Sequence, residues 1–344
     1  MKRSKLFMKE RSQNIDAIRG IAAILVMFGH CIVLNGMQDG LIYDMIKSVQ
    51  MPLFMLVSGY LVSLTGKIDS FWELERLIIK RAAVCLLPFF VWILVLHPFS
   101  FLKSLKETLF QIDKGLWFLM VLFLFSMVQS LAGYTRTVLV KKKGPAVGWI
   151  GFFAVWSLFG LILLLQIISA NHFLSPHLSI YYLPFYLGGY LFGICYIFVP
   201  ERVKNKCRKF TIPCMVLALF LLFSISLGFD MIIAADKKVL LLQFFASVMG
   251  SIGLILLITK IKGKSKALLS FVGQYTLEIY VIHYHFARIL WRGTVPVTEL
   301  GFTWGYRVLL SWMLMSILTA AVIYVLKKIK IADILLFGQY FKYK

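Results

Sequence analysis

Charge is scarce in this chain, and acid is scarcer than base. Of 344 residues 15% are charged, with 15 Asp and Glu against 37 Lys and Arg, while 60% are hydrophobic. Mean hydropathy is +0.85. A soluble domain carries about a quarter of its residues charged, so this composition excludes an ordinary soluble fold and reads as a membrane protein. Strict two-residue alternation is missing from the apolar runs, which excludes a β-barrel and leaves an all-α polytopic helical bundle. The five cysteines are scattered singly with no CxxC pair, so neither a disulfide framework nor a zinc site is indicated, and no metal is expected. No connecting loop is much longer than about 20 residues, too short for a separate soluble domain. Residues 1–344 therefore read as one membrane domain. Internal repeats are not visible, which counts against a transporter built from inverted halves. "GKS" at Gly263 to Ser265 has Ile258 where a P-loop needs its first glycine, so it reads as a loop.

What is present is about ten segments long enough to cross a hydrocarbon core of roughly 30 Å. They are 15–34, 46–66, 82–100, 115–134, 148–169, 179–199, 211–229, 239–259, 267–290 and 304–326. The basic start "MKRSKLFMKER" looks like a signal-peptide n-region, but the segment after it carries Asp16 and Arg19 and has no clear cleavage site. The first span is expected to be retained. Most Lys and Arg fall in one alternating set of loops: residues 2–11, 67–81, 136–143, 202–209, 260–266 and 327–344. Positive residues favour the cytoplasmic side. Both termini, 1–14 and 327–344, are thus expected in the cytoplasm, with the chain as a multi-pass protein of the cell membrane. Short basic loops between spans also explain the net charge of +22 through topology and anionic lipid, so no nucleic-acid partner is expected. "GYLFG", Gly189 to Gly193, fits the small-xxx-small spacing of closely packed membrane helices.

The opening span "NIDAIRGIAAILVMFGH", residues 14–30, holds polar groups that an anchor does not need. An Arg or Asp at a helix centre costs about 2.5–3.5 kcal/mol on insertion scales. Arg19 and His30 are eleven residues apart, about three helical turns plus roughly 20°, and so share one face with a rise of about 16 Å. A permanent cation suited to phosphate and a group that exchanges a proton near neutral pH thus lie along one strip. The alternative is a snorkelling Arg19 with a hydrogen-bonded interior His30.

Arg19 and His30 preceded by "NID" resemble the opening signature of the membrane acyltransferase 3 family. Further stretches are similar in order: "MPLFMLVSGYL" from Met51, "GLWFLMVLF" from Gly115, "YYLPFYLGGYLFG" from Tyr181 and "YTLEIYVIHYHF" from Tyr275. Within the family the chain is closest in flavour to fucose 4-O-acetylase-like sugar O-acetyltransferases. One departure is Val84 in "KRAAVCLLP", where the family often has a second arginine.

The resemblance implies an enzyme that moves an acetyl or other acyl group from cytoplasmic acyl-CoA to a hydroxyl of an extracytoplasmic or lipid-linked glycan. It implies no permanently bound cofactor, with acetyl-CoA as donor substrate. Arg19, helped by Arg76, Lys80 and Arg81, would hold the donor's anionic end, and His30 would take the acceptor proton or carry the acyl group. Asp16 either orients Arg19 or caps the first turn. Ser58 either hydrogen-bonds substrate or packs. Trp117 stacks on a sugar or anchors at the interface, and His283 meets substrate or is a satisfied interior histidine. Glu278 is the only carboxylate deep in the ninth span and is expected inside the bundle. The implied partners are the bilayer, acyl-CoA and the glycan acceptor; a homo-oligomer is left open. The competing function is a secondary transporter or flippase with Arg, His and Glu as a proton relay.

Overall fold

The computed structural model describes residues 2–34, 41–111, 115–198, 209, 212–213, 215–217, 237–287 and 302–342. Among the described residues there is no strand. Eight helices among the described residues are long and apolar enough to cross a membrane, and the protein is a polytopic helical membrane protein. They are α1 (Lys2–Leu34), α2 (Leu41–Ser63), α3 (Phe71–Leu96), α5 (Trp117–Lys143), α6 (Pro145–Ile168), α7 (Pro176–Phe198), α8 (Lys237–Lys260) and α11 (Phe302–Leu326). Shorter helices are α4 (Phe101–Phe110), α9 (Gly263–Gln274), α10 (Thr276–Ile282) and α12 (Lys330–Phe337).

Two of the ten expected segments are absent from the eight. Most of 211–229 lies outside the described residues. The segment 267–290 is not one helix: α9 ends at Tyr275 (φ −109°, ψ 20°) and α10 starts at once, running into a 3₁₀ turn over His283–Phe286. Tyr275 takes the sparsely populated bridge conformation, and its N–H bonds back to Val272 O in a three-residue step. A break of this kind survives at membrane depth only where protein side chains surround it. α1 also starts earlier than expected, at Lys2. Asp16 therefore lies in mid-helix and not in the first turn, so capping is not its job.

The chain forms two compact units, residues 1–62 with 185–324, and residues 63–184 with 325–344. In the first unit Ala17, Ile18 and Ala22 of α1 pack with Val49, Leu53 and Val57 of α2 and with Ile258 of α8. The four-residue spacing along α2 makes one apolar stripe that faces α1. Two helix pairs approach to backbone contact. A Cβ on Gly20 would strike the Leu269 carbonyl, and one on Gly273 would strike the Asp16 carbonyl. The same reciprocal pattern joins α2 and α7, with Gly59 against Tyr186 O and Gly189 against Leu56 O. Glycine is required at such positions because any side chain would push the backbones apart. Gly189 thus packs as its spacing suggested, and Gly59 shows that the Ser-Gly pair serves close approach.

In the second unit α5 and α6 form a hairpin through Gly144, whose φ of +90° suits glycine. α3 is capped at its start: Glu73 N–H donates to Ser70 Oγ at 3.2 Å, and Asp69 N–H, just before the cap, donates to Glu73 Oε2 at 2.7 Å. α12 lies on α3, where Trp92 Nε1–H donates to Leu336 O at 3.0 Å. Gly338 (φ +65°) lies against Ala83 and Val84. The backbone at Val84 thus meets the turn after α12.

Candidate functional site

The α1 and α9 contact fixes a register. Gly20 and Gly273 face one another, and ten residues further along each chain His30 meets His283, ring centroids 5.1 Å apart. Equal steps on both sides mean that α1 and the α9–α10 segment run in parallel. Two helices in one direction present the same sequence of depths, so a polar residue on one has a fixed neighbour on the other.

At the Arg19 end, the guanidinium donates through Nη2 to Thr276 Oγ1 at 2.6 Å, and Nη1 lies 4.0 Å from Asp16 Oδ1. Glu278, only 2% exposed, interacts with the same charge. The break at Tyr275 makes this possible, since it turns Thr276 into the first residue of α10 and places Glu278 in that helix's first turn. An acid there also favours the helix N-terminus. Arg19 keeps 32% of its side chain exposed, so its five donors are not all used by the protein.

At the His30 end the balance differs. His30 is partly buried, with His283 beside one part of its ring and Tyr284 edge-on at 5.2 Å. His283 is buried, and its Nδ1 lies 2.7 Å from Ile279 O. A carbonyl only accepts, so Nδ1 carries the hydrogen and, in the neutral ring, Nε2 carries the lone pair. That Nε2 is buried without a hydrogen-bond partner. Gln50 Oε1 is a second such atom and lies where it would touch a Cβ on Gly29. Buried polar atoms without partners are rare and ask for an explanation.

The structure brings Asp16, Arg19, Glu278, His30 and His283 together along one helix pair in the first unit. Ser58, in the same unit, is on α2 beside Gly59, which meets the α7 backbone. Arg76, Lys80, Arg81 and Trp117 belong to the second unit. Arg76 and Lys80 are exposed on α3, and Arg81 is half-buried. Trp117 at the start of α5 stacks on Tyr182, centroids 5.2 Å apart and planes 21° from parallel, which occupies one face of the indole. Among the described residues no group of three or more His, Cys, Asp or Glu is placed to hold a metal.

Reading by charge alone overlooked neutral polar residues inside spans. Thr276 is one, the direct partner of Arg19. Gln243 on α8 is another: it is fully buried, and both atoms of its carboxamide lack partners. Ser247 and Ser251 follow at four-residue steps on the same strip and are likewise buried. The available signal was the cost of burying an amide, which applies to Gln and Thr as it does to ions.

No curated protein and no solved structure matches the chain. A family model described as an acyltransferase domain matches residues 12–328, a stretch that holds every residue of the Arg19 to His283 arrangement. The chain belongs to the acyltransferase 3 family and is a membrane acyltransferase.

Proposed function

We propose that the protein transfers an acetyl group from cytoplasmic acetyl-CoA to a hydroxyl of an extracytoplasmic or lipid-linked glycan, in the manner of the fucose 4-O-acetylase-like branch. The observation that carries this reading is the pairing of Arg19 and His30 on one face of α1, each met by a residue of one parallel partner segment. A donor with a phosphate-rich end and a reactive thioester at the far end of a long arm needs a cation and a base about that far apart. The rise of about 16 Å between the two residues suits the arm.

Arg19 binds the anionic end of the donor with the donors left over from Thr276. Arg76, Lys80 and Arg81 add positive charge on the cytoplasmic side of the membrane. His30 takes the proton of the acceptor hydroxyl as its oxygen attacks the thioester carbonyl. The C–O bond forms, the C–S bond breaks, and the proton passes to the departing thiolate. Glu278 and Asp16 hold Arg19 in place. Both termini lie in the cytoplasm, in keeping with the basic loops.

The test uses membranes that contain the full chain and acetyl-CoA labelled in its acetyl group. CoA thiol release coupled to label in the glycan fraction is expected, with both signals lost in His30→Ala and kept in His172→Ala. A proton-relay transporter predicts no thioester consumption, and that result would end the acyl-transfer reading.

A further inference from the structure

His283 is an unusual residue to leave where it is. Its Nδ1–H is tied to the Ile279 carbonyl and its Nε2 is buried with no partner. An unpartnered buried acceptor is destabilising, a penalty that a leucine at this site would not carry. Its surroundings are specific. The His30 ring lies 5.1 Å away centre to centre, and the Tyr280 ring 6.3 Å. The Tyr284 ring stands edge-on to His30 at 5.2 Å. Ring nitrogens sit roughly 1.2 Å from a ring centre, so two imidazoles at this separation span an N–H···N bond of about 2.7 Å when their nitrogens turn toward each other. Catalytic hydrogen bonds are often loose before substrate binds.

We propose that His283 is a positioning residue for His30. The lone pair on its Nε2 accepts the N–H of the His30 imidazole and thereby decides which His30 nitrogen stays free for the acceptor hydroxyl. The inference rests on the acyl-transfer reading and adds to it a second residue with a defined atom. When the hydroxyl proton moves to the free nitrogen of His30, the new imidazolium keeps its other N–H on His283 Nε2, so the charge forms against a ready acceptor. The proton then leaves from the same free nitrogen to the CoA thiolate, and both rings return to their starting tautomers. The Ile279 carbonyl holds the whole arrangement, since it prevents His283 from presenting a hydrogen to His30. Asp plays this orienting part for His in serine hydrolases.

The experiment compares His283→Leu and His283→Gln with wild type in the full-length protein in nanodiscs, with acetyl-CoA as donor and CoA release as readout. His283→Leu is expected to lower kcat by about 10²-fold or more while the KM for acetyl-CoA stays within about twofold. His283→Gln, whose amide oxygen can accept the same N–H, should recover at least about tenfold of that loss. An effect of less than about threefold in His283→Leu, a loss confined to KM, or a Gln variant no better than Leu at equal thermal stability would overturn the proposal. Wild type releasing no CoA would instead count against the acyl-transfer reading. For that case carbethoxylation of His30 by diethyl pyrocarbonate, followed by mass spectrometry, reads the pair without turnover. With acetyl-CoA present, a His30 hydrogen-bonded to His283 should react severalfold faster than in His283→Leu, and equal rates would contradict the pairing.

Discussion

The two ends of the α1 and α9–α10 pair use the same geometry for opposite ends. Around Arg19 the protein supplies partners: a hydroxyl at 2.6 Å, a carboxylate at 4.0 Å and a second carboxylate on the facing helix. Around His30 it withholds them, leaving His283 Nε2 and Gln50 Oε1 buried and unpaired. A charge in a membrane must be met by the fold whether or not substrate is present. A reacting group gains from neighbours that complete their hydrogen bonds only when substrate arrives. The contrast teaches that the number of intramembrane polar residues is a poor guide to chemistry, and that their state of satisfaction is a better one.

The largest expected effect breaks the His30 end outright. His30→Ala should lower turnover by about 10²–10⁴-fold while expression and membrane insertion stay near normal, as read by acetyl transfer and by quantitative blotting of membranes. Retention of more than about a tenth of activity would be too much for the proton acceptor.

A bulky residue at Gly273 should come next, because it acts on both ends at once. The Asp16 carbonyl stands where its Cβ would go, so Gly273→Leu must part the backbones. A loss of about 1–3 kcal/mol or more is expected, visible as a lower melting temperature in detergent, together with a fall in activity because His283 leaves His30. Unchanged stability would show that the close approach is not required.

The Arg19 end breaks more gently. Thr276→Val removes an uncharged partner of a charged donor, worth roughly 1.5–3 kcal/mol, and should raise the KM for acetyl-CoA more than it lowers kcat. An effect on kcat alone would mean that the two ends are not separable. Smallest of all, Arg76→Gln together with Lys80→Gln, both exposed, should raise the donor KM by a few-fold and lose even that effect at high salt.

How much of this was legible in the sequence follows from which physical signal each feature leaves. The spans could be read because length and hydropathy are local properties, and α6, α7, α8 and α11 lie within a few residues of expectation, whereas α5 runs nine residues past it to Lys143. The shared face of Arg19 and His30 was legible from helical periodicity alone. The break at Tyr275 was not, since "FVGQYTLEIY" contains no proline, and the short polar run Gly273 to Thr276 does not by itself end an apolar segment. The interruption is held by tertiary partners, above all Arg19 on Thr276. Asp16 was misplaced as a possible cap because helicity continues through the polar arm before it, where hydropathy gives no signal. The register that unites the Gly20–Gly273 contact with the His30–His283 pair spans more than 250 residues of chain, and only the folded molecule displays it.

The central claim is a division of labour along α1, with donor held at Arg19 and chemistry done at His30. Direct binding of acetyl-CoA to detergent-purified protein tests it, by calorimetry on wild type, Arg19→Gln and His30→Ala. The account predicts that Arg19→Gln loses affinity by about tenfold or more, as expected for a lost charge-assisted contact, while His30→Ala binds donor nearly as wild type does and fails to turn it over. Wild-type affinity in Arg19→Gln would contradict the account even if its activity were gone, since Arg19 would then serve the helix pair alone.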